Sequence, residues 1–254
     1  MRILLTNDDG YHAPGLAALE RIAATLSDDV WIVAPAEDQS GTSRSLTLTR
    51  PLRLRQFGER RFAVNGTPTD SVLMALGEVM AGTKPDLILS GVNRGANLGE
   101  DVFYSGTVSA AMEGALASIR SIALSQRYAA QGLGDGVPFA TAEAWGERVL
   151  RPLLDLDFGP RTLVNINFPP VEPEAVKGIR IARQGLRDYG RATFDRRSDP
   201  RGYDYYWLAL GRLPHQPGHD TDLDAIAEDC IAVTPLHLDL THDASLAMLD
   251  AAYR

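Results

Sequence analysis

The chain has 254 residues, 44% of them hydrophobic and 23% charged, a balance that excludes a disordered chain or a coiled coil and allows one large packed unit. Its 25 Lys and Arg against 33 Asp and Glu give a net charge of −8, which argues against a nucleic acid polymer as partner, because backbone phosphates would be repelled. A single cysteine, Cys230, excludes an intrachain disulfide and every CxxC metal site, and fits a reducing compartment. The apolar run Ile3-Leu4-Leu5 is too short for a signal peptide and no stretch approaches a membrane span, so a cytoplasmic protein with no membrane contact is expected.

Short apolar runs alternate with helical spacing from the first residue. Ile3-Leu4-Leu5 reads as a strand, and Leu16, Leu19, Ile22 and Leu26 then recur at helical spacing, with Pro14 suited to the first turn. Val30-Trp31-Ile32-Val33-Ala34 is a uniformly apolar strand, as expected where both faces of a parallel sheet are covered. In residues 44–64, Leu46, Leu48, Leu52 and Leu54 alternate with Thr and Arg, which predicts a short antiparallel excursion. A helix over 69–80, a strand over 86–90, a helix marked by Val108, Met112, Leu116 and Ile119 and a strand at 122–124 follow. Trp145, Val149 and Leu153 mark another helix, and 163–168 another strand. This alternation predicts a three-layer α/β/α sandwich around a Rossmann-like, mostly parallel sheet.

The alternation ends near Pro169-Pro170. Beyond it lie a short strand at 179–181 and a segment, 186–219, rich in Arg, Asp, Tyr, Gly and Pro, within which residues 203–208 have strong strand propensity. Residues 231–233 and a helix near 245–252 return to the core. The expected plan is a single domain over 1–254, with a core of about 1–185 and 220–254 and a protruding C-terminal β arm of about 186–219.

In open α/β sheets, ligands bind outside the carboxyl ends of the strands, so the residues that follow each strand matter most. Asn7-Asp8-Asp9-Gly10 follows the first, residues 35–43 with Ser40 follow the second, and the 86–90 strand leads into Gly91-Val92-Asn93-Arg94-Gly95-Ala96-Asn97. Alone, Asp8-Asp9-Gly10 reads more readily as a turn and a helix cap. Yet turn chemistry needs one carboxylate, and two adjacent ones repel unless a cation stabilises both. Ser40 and Asn93 add a hydroxyl and an amide oxygen at the same edge. Such an all-oxygen set suits one Mg2+ or Mn2+ and does not suit zinc. Ser105-Gly106-Thr107 opens a helix, where free N–H groups, the dipole and small residues favour a phosphate; taken alone, Ser105 or Thr107 reads more readily as an ordinary cap, and phosphate becomes the economical reading beside a metal-binding edge.

These motifs, together with Val64-Asn65-Gly66-Thr67-Pro68, Tyr104-Ser105-Gly106-Thr107-Val108-Ser109-Ala110-Ala111-Met112-Glu113-Gly114, Asp220-Thr221-Asp222 and Val233-Thr234-Pro235-Leu236, resemble the SurE family of stationary-phase survival proteins, metal-dependent 5′-nucleotidases. The resemblance spans nearly the whole chain; the 186–219 arm matches least. It implies metal ligands at Asp8, Asp9, Ser40 and Asn93, and an anion site at Ser105, Gly106 and Thr107 with Asn97 and Asn7 nearby. It also implies hydrolysis of nucleoside monophosphates, sometimes of other phosphoesters including short polyphosphate, by homodimers or homotetramers whose C-terminal arms exchange.

Other chemistries lack their residues. There is no P-loop, no HExxH and no GxSxG, and Cys230 lacks the downstream Arg of a cysteine phosphatase. A haloacid-dehalogenase-like phosphatase wants Asp-x-Asp, which Asn7-Asp8-Asp9-Gly10 does not supply. His12 lies near the expected site but reads as a surface or capping residue, and His215, His219, His237 and His242 read as arm or surface positions. Asp220-Thr221-Asp222 most simply begins a helix. The expected enzyme is a metal-dependent phosphomonoesterase with Asp8 or Asp9 as general base and water attacking directly; the rival is a nucleotide-binding regulatory protein without turnover.

Overall fold

The computed structural model describes residues 1–128, 139–186, 189–212 and 220–254. Its main sheet has nine strands. Five are the parallel runs expected from the sequence: β1 (Arg2–Thr6), β2 (Asp29–Pro35), β5 (Leu87–Arg94), β6 (Arg120–Gln126) and β7 (Thr162–Phe168). A hairpin of β3 (Leu54–Gly58) and β4 (Arg61–Val64) extends one side, and β8 (Ile179–Ile181) with β11 (Ile231–His237) the other. The order is β3-β4-β2-β1-β5-β6-β7-β11-β8, with only the β3–β4 and β7–β11 pairs antiparallel.

The chain leaves β1 toward β2 on one side and later returns to β1's other flank with β5. The sheet therefore reverses its winding between β1 and β5, where Ile3 pairs with Leu87 and Thr6 with Ser90. Such a switch point opens a crevice beyond the strand ends. Asn7 and Asn93 stand on its two lips.

Period-2 alternation divides each strand between two layers. Ile3, Leu5, Leu87, Leu89, Ile122 and Leu124 pack with α1 (Pro14–Ala24) and α4 (Ala140–Leu150). On the other face, Leu4, Val33 and Ile88 pack with α2 (Pro68–Met74) and α3 (Gly106–Leu116). Helix α5 (Asp222–Ala227) joins a smaller cluster with Leu98 and Ala232. Toward the carboxyl end this second face turns polar: Thr6, Ser90, Ser125, Asn165, Asn167 and Thr234 are all completely buried there.

Some expectations needed adjustment. Leu46 and Leu48 are exposed and outside any strand; their alternation with Thr belongs to a loop pinned by Thr47 N–H donating to Asp70, and the antiparallel excursion begins only at β3. The helix expected over 69–80 is α2 continued by a π-helical turn, Ala75–Val79. Thr221 caps α5 through a reciprocal bond pair with Asp224, so Asp220-Thr221-Asp222 does begin a helix. The aromatic run enters β10 (Asp204–Arg212), which pairs with β9 (Tyr189–Ser198) in a separate two-stranded sheet. Residues 187–188 and 213–219 of the arm segment, with His215 and His219, lie outside the described residues. The final helix is α6 (Asp243–Ala252), with no buried residue.

Candidate active site

Asp8 and Asp9 leave the end of β1 at the switch point. Asp8 is buried, and its backbone carbonyl accepts from Gln39 N–H at 2.8 Å, which ties the β1 end to the loop after β2. Its carboxylate lies against the start of α3: Oδ1 accepts the hydroxyl of Thr107, and a Cβ on Gly106 would fall 2.7 Å from Asp8 Cβ and 2.9 Å from Oδ2. Only glycine lets the helix start come this close. Burial pushes the Asp8 carboxyl up to about 6; the Thr107 hydroxyl opposes that rise and the charge of Asp9 adds to it. Asp9 is less buried. Its Oδ2 accepts the backbone N–H of Arg94 at 3.2 Å, and its carboxyl too is raised, by burial and by the nearby charge of Asp38.

Ser40 and Asn93 arrive from the neighbouring strand ends, and both are oriented. Ser40 Oγ donates to Asp38 Oδ1 at 2.6 Å, while Ser40 N–H donates to the same oxygen at 2.8 Å. The hydroxyl proton is thus committed and the Oγ lone pairs face elsewhere. Asn93 Nδ2 donates to Gly95 carbonyl at 2.8 Å, which fixes the opposite end of the amide as oxygen. Two desolvated carboxylates with a lone-pair hydroxyl and an amide oxygen form a hard-oxygen donor set, and an unneutralised pair of buried acids is costly without a cation. The residues fit a divalent metal. Among the described residues no group of three or more His, Cys, Asp or Glu suits a metal; this candidate has two acids, its other donors being neutral.

The helix start at 105–107 is buried beside these carboxylates. Ser105 caps α3 by accepting from Val108 N–H at 3.0 Å, so the ordinary capping role is real. Asn97 is held by its neighbours, its Nδ2 donating to Ser125 Oγ at 2.9 Å. Asn7 donates Nδ2 to Gly10 carbonyl at 2.9 Å, and its Oδ1 has no hydrogen-bond partner although wholly buried. An acceptor oxygen in that position suits a cation or a donor group better than a phosphate oxygen. His12 is exposed, edge-on to Tyr11 and Phe57, and His237 and His242 are exposed as well.

Sequence reasoning missed Asp38, Asn165, Asn167 and Asp222, all of which support these groups. A usable signal existed for two of them. Asn165 and Asn167 alternate with Ile166 and Phe168 in a strand of the α/β alternation, and an amide buried in such a sheet demands partners. Asp38 and Asp222 carry no such mark.

A family model described as survival protein SurE matches residues 3–191. This chain belongs to the SurE family. The SurE match takes in every expected site residue and stops within β9. A protein named 5′-nucleotidase SurE from Rhizorhabdus wittichii is 66% identical over 254 residues, covering 100% of both chains. Another of the same name from Erythrobacter litoralis is 57% identical over 249 residues, covering 98% of each. The solved structure of a SurE protein from Aquifex aeolicus superposes with a TM-score of 0.84 at 37% identity, covering 100% of both chains.

Proposed function

We infer that this SurE-family chain is a 5′-nucleotidase, a phosphomonoesterase that hydrolyses nucleoside monophosphates to nucleoside and phosphate. Two relatives that carry the 5′-nucleotidase name match essentially end to end at 66% and 57% identity. The observation that carries the chemistry is the Asp8–Asp9 pair, desolvated at the switch-point crevice, with Asp8 pressed against the start of α3.

Asp8, Asp9, Ser40 and Asn93 would hold one Mg2+ or Mn2+ per subunit. Bound there, the ion supplies a Lewis acid and lowers the pKa of water. Ser105, Gly106 and Thr107 would hold the phosphoryl oxygens with helix-start N–H groups, where negative charge builds up during transfer. Asn97 would join that cradle, and Asn7 orders the turn that carries Asp8 and Asp9 through Gly10. We take water as the nucleophile, and Asp8 or Asp9, while holding the ion, would be the group placed to accept its proton. The test is phosphate release from a panel of 5′- and 3′-nucleotides and short polyphosphate, after exhaustive dialysis against chelator and again with Mg2+ or Mn2+ restored. Full activity after chelation overturns the metal assignment; tight nucleotide binding with no release in any condition marks a regulatory binder instead.

The same reading makes the chain one domain whose arm, 186–219, lies between copies in a homodimer or homotetramer. Phe194, Tyr206, Trp207 and Leu208 are all exposed on the separate two-stranded sheet, an apolar surface that a monomer rarely leaves bare. A cytoplasmic location is supported by the lone Cys230 and by the absence, among the described residues, of a helix long and apolar enough to cross a membrane.

A further inference from the structure

The segment after β5, residues 95–99, connects Asn93 and Asn97 to the rest of the crevice, and side chains replace the strand partners it lacks. Asn167 on β7 grips both backbone groups of Asn97: its Oδ1 accepts Asn97 N–H at 2.8 Å and its Nδ2 donates to Asn97 carbonyl at 3.1 Å. Asn165 donates to the same carbonyl at 2.8 Å. Two residues on, Asp222 Oδ2 accepts Gly99 N–H at 2.9 Å. Its other oxygen, Oδ1, accepts Gly185 N–H, also at 2.9 Å. Asn165, Asn167 and Asp222 are completely buried.

This arrangement is costly unless it has a purpose. Three wholly buried polar side chains, two on the polar end of this sheet face and one at the start of α5, stand where apolar packing could be, and each would be destabilising without its partners. What they hold is a loop whose Gly95 carbonyl receives Asn93 Nδ2. A shift of that loop rotates the Asn93 amide and moves Asn97 together.

We propose that Asn167 and Asp222 are positioning residues of this site: through the backbone of Asn97 and Gly99 they set the loop that orients Asn93 toward the cation and Asn97 toward the phosphate. The proposal rests on the reading of Asn93 and Asn97 given above. Neither residue touches the reacting atoms. Asn167 supplies a two-pronged surrogate strand pairing, and Asp222 a buried carboxyl group shared between the loop and the root of the arm.

The test uses the full chain and reads metal affinity apart from turnover. Asp222→Asn keeps the shape but turns one acceptor into a donor facing an N–H. Asn167→Ala removes both prongs; Asn167→Ser is made beside it so that a folded variant at that position is in hand. Leu150→Ala, in the opposite layer, is the control that lowers stability without reaching the loop. Mn2+ is titrated by calorimetry, and KM and kcat are measured with adenosine 5′-monophosphate, on chains shown to be folded by circular dichroism. The expected result is an Mn2+ Kd weakened by about 10- to 100-fold, the range seen when supports of metal ligands are removed, with KM raised. Leu150→Ala should melt lower yet keep the parent's Kd and KM. An Mn2+ Kd and a KM within about twofold of the parent in folded Asp222→Asn and Asn167→Ser would overturn the positioning role. A parent chain that neither binds Mn2+ nor releases phosphate would instead overturn the functional reading beneath it.

Discussion

Replacing Asp8 with Asn should make the metal-free protein more stable. The carboxyl rises from 3.8 to about 6 on folding, with burial the largest cause. Its folded value lies above its unfolded one, so between about pH 4 and pH 6 the folded chain keeps a proton that the unfolded chain gives up. Stability therefore falls as pH rises through that window, and the full penalty stands above it. A rise of this size corresponds to about 3 kcal/mol at pH 8. Asn removes the charge and can still accept the Thr107 hydroxyl. For a chain of this length about 3 kcal/mol moves the melting temperature by roughly 6 to 12 °C. The assay is thermal melting of both proteins, stripped of metal, at pH 8 and pH 4. The variant should melt well above the parent at pH 8, and the gap should shrink to under about 1 kcal/mol at pH 4, where the native carboxyl is protonated. With Mn2+ at about 100 times Kd, the parent should gain roughly 2.7 kcal/mol and the variant little. An Asp8→Asn protein that melts at or below the parent at pH 8, or a gap indifferent to pH, would refute the reasoning.

Asp9→Asn and Asn93→Ala should each lose Mn2+ affinity and phosphate release; without metal, Asn93→Ala should melt near the parent and Asp9→Asn at or above it, since burial raises the Asp9 carboxyl too, and near-parental turnover in either removes that residue from the ligand set. Gly106→Ala should lower metal-free stability by about 1–2 kcal/mol, because its new Cβ would sit 2.7 Å from Asp8 Cβ and overpacking outweighs the gain in helix propensity; an unchanged melting curve would show that the helix start has room to retreat. Deleting residues 188–217 and bridging them with a short Gly-Ser linker should reduce the mass seen by light scattering while metal binding persists, since the proposed ligands all precede residue 100; an unchanged mass refutes the arm.

Most of the sheet was legible in the sequence because its central strands are uniform apolar runs, and only a two-sided core asks for that. Asp8, Asp9, Ser40 and Asn93 could be grouped from the sequence alone, since each lies just beyond such a run or, for Ser40, in the loop that follows one. Legibility failed where meaning depends on a distant partner. Leu46 and Leu48 alternate like a strand, but no neighbour pairs with them and Asp70 pins the loop instead. Asp222 looks like one more acid in a helix start until the fold brings it to Gly99, 123 residues away in sequence. The 105–107 cradle was read as a place for phosphate. That its Thr107 hydroxyl already serves Asp8 followed from no spacing in the sequence.

That last contact sets an order of arrival. On the reading proposed above, a phosphate reaching the metal-free protein finds the helix start in the hands of a resident carboxylate, and two anions cannot share those donors without mutual repulsion. A cation must first draw off the charge of Asp8 before the place is open. On that reading loading would be sequential, metal before nucleotide, and a chain starved of metal would neither cleave nucleotides nor tie them up.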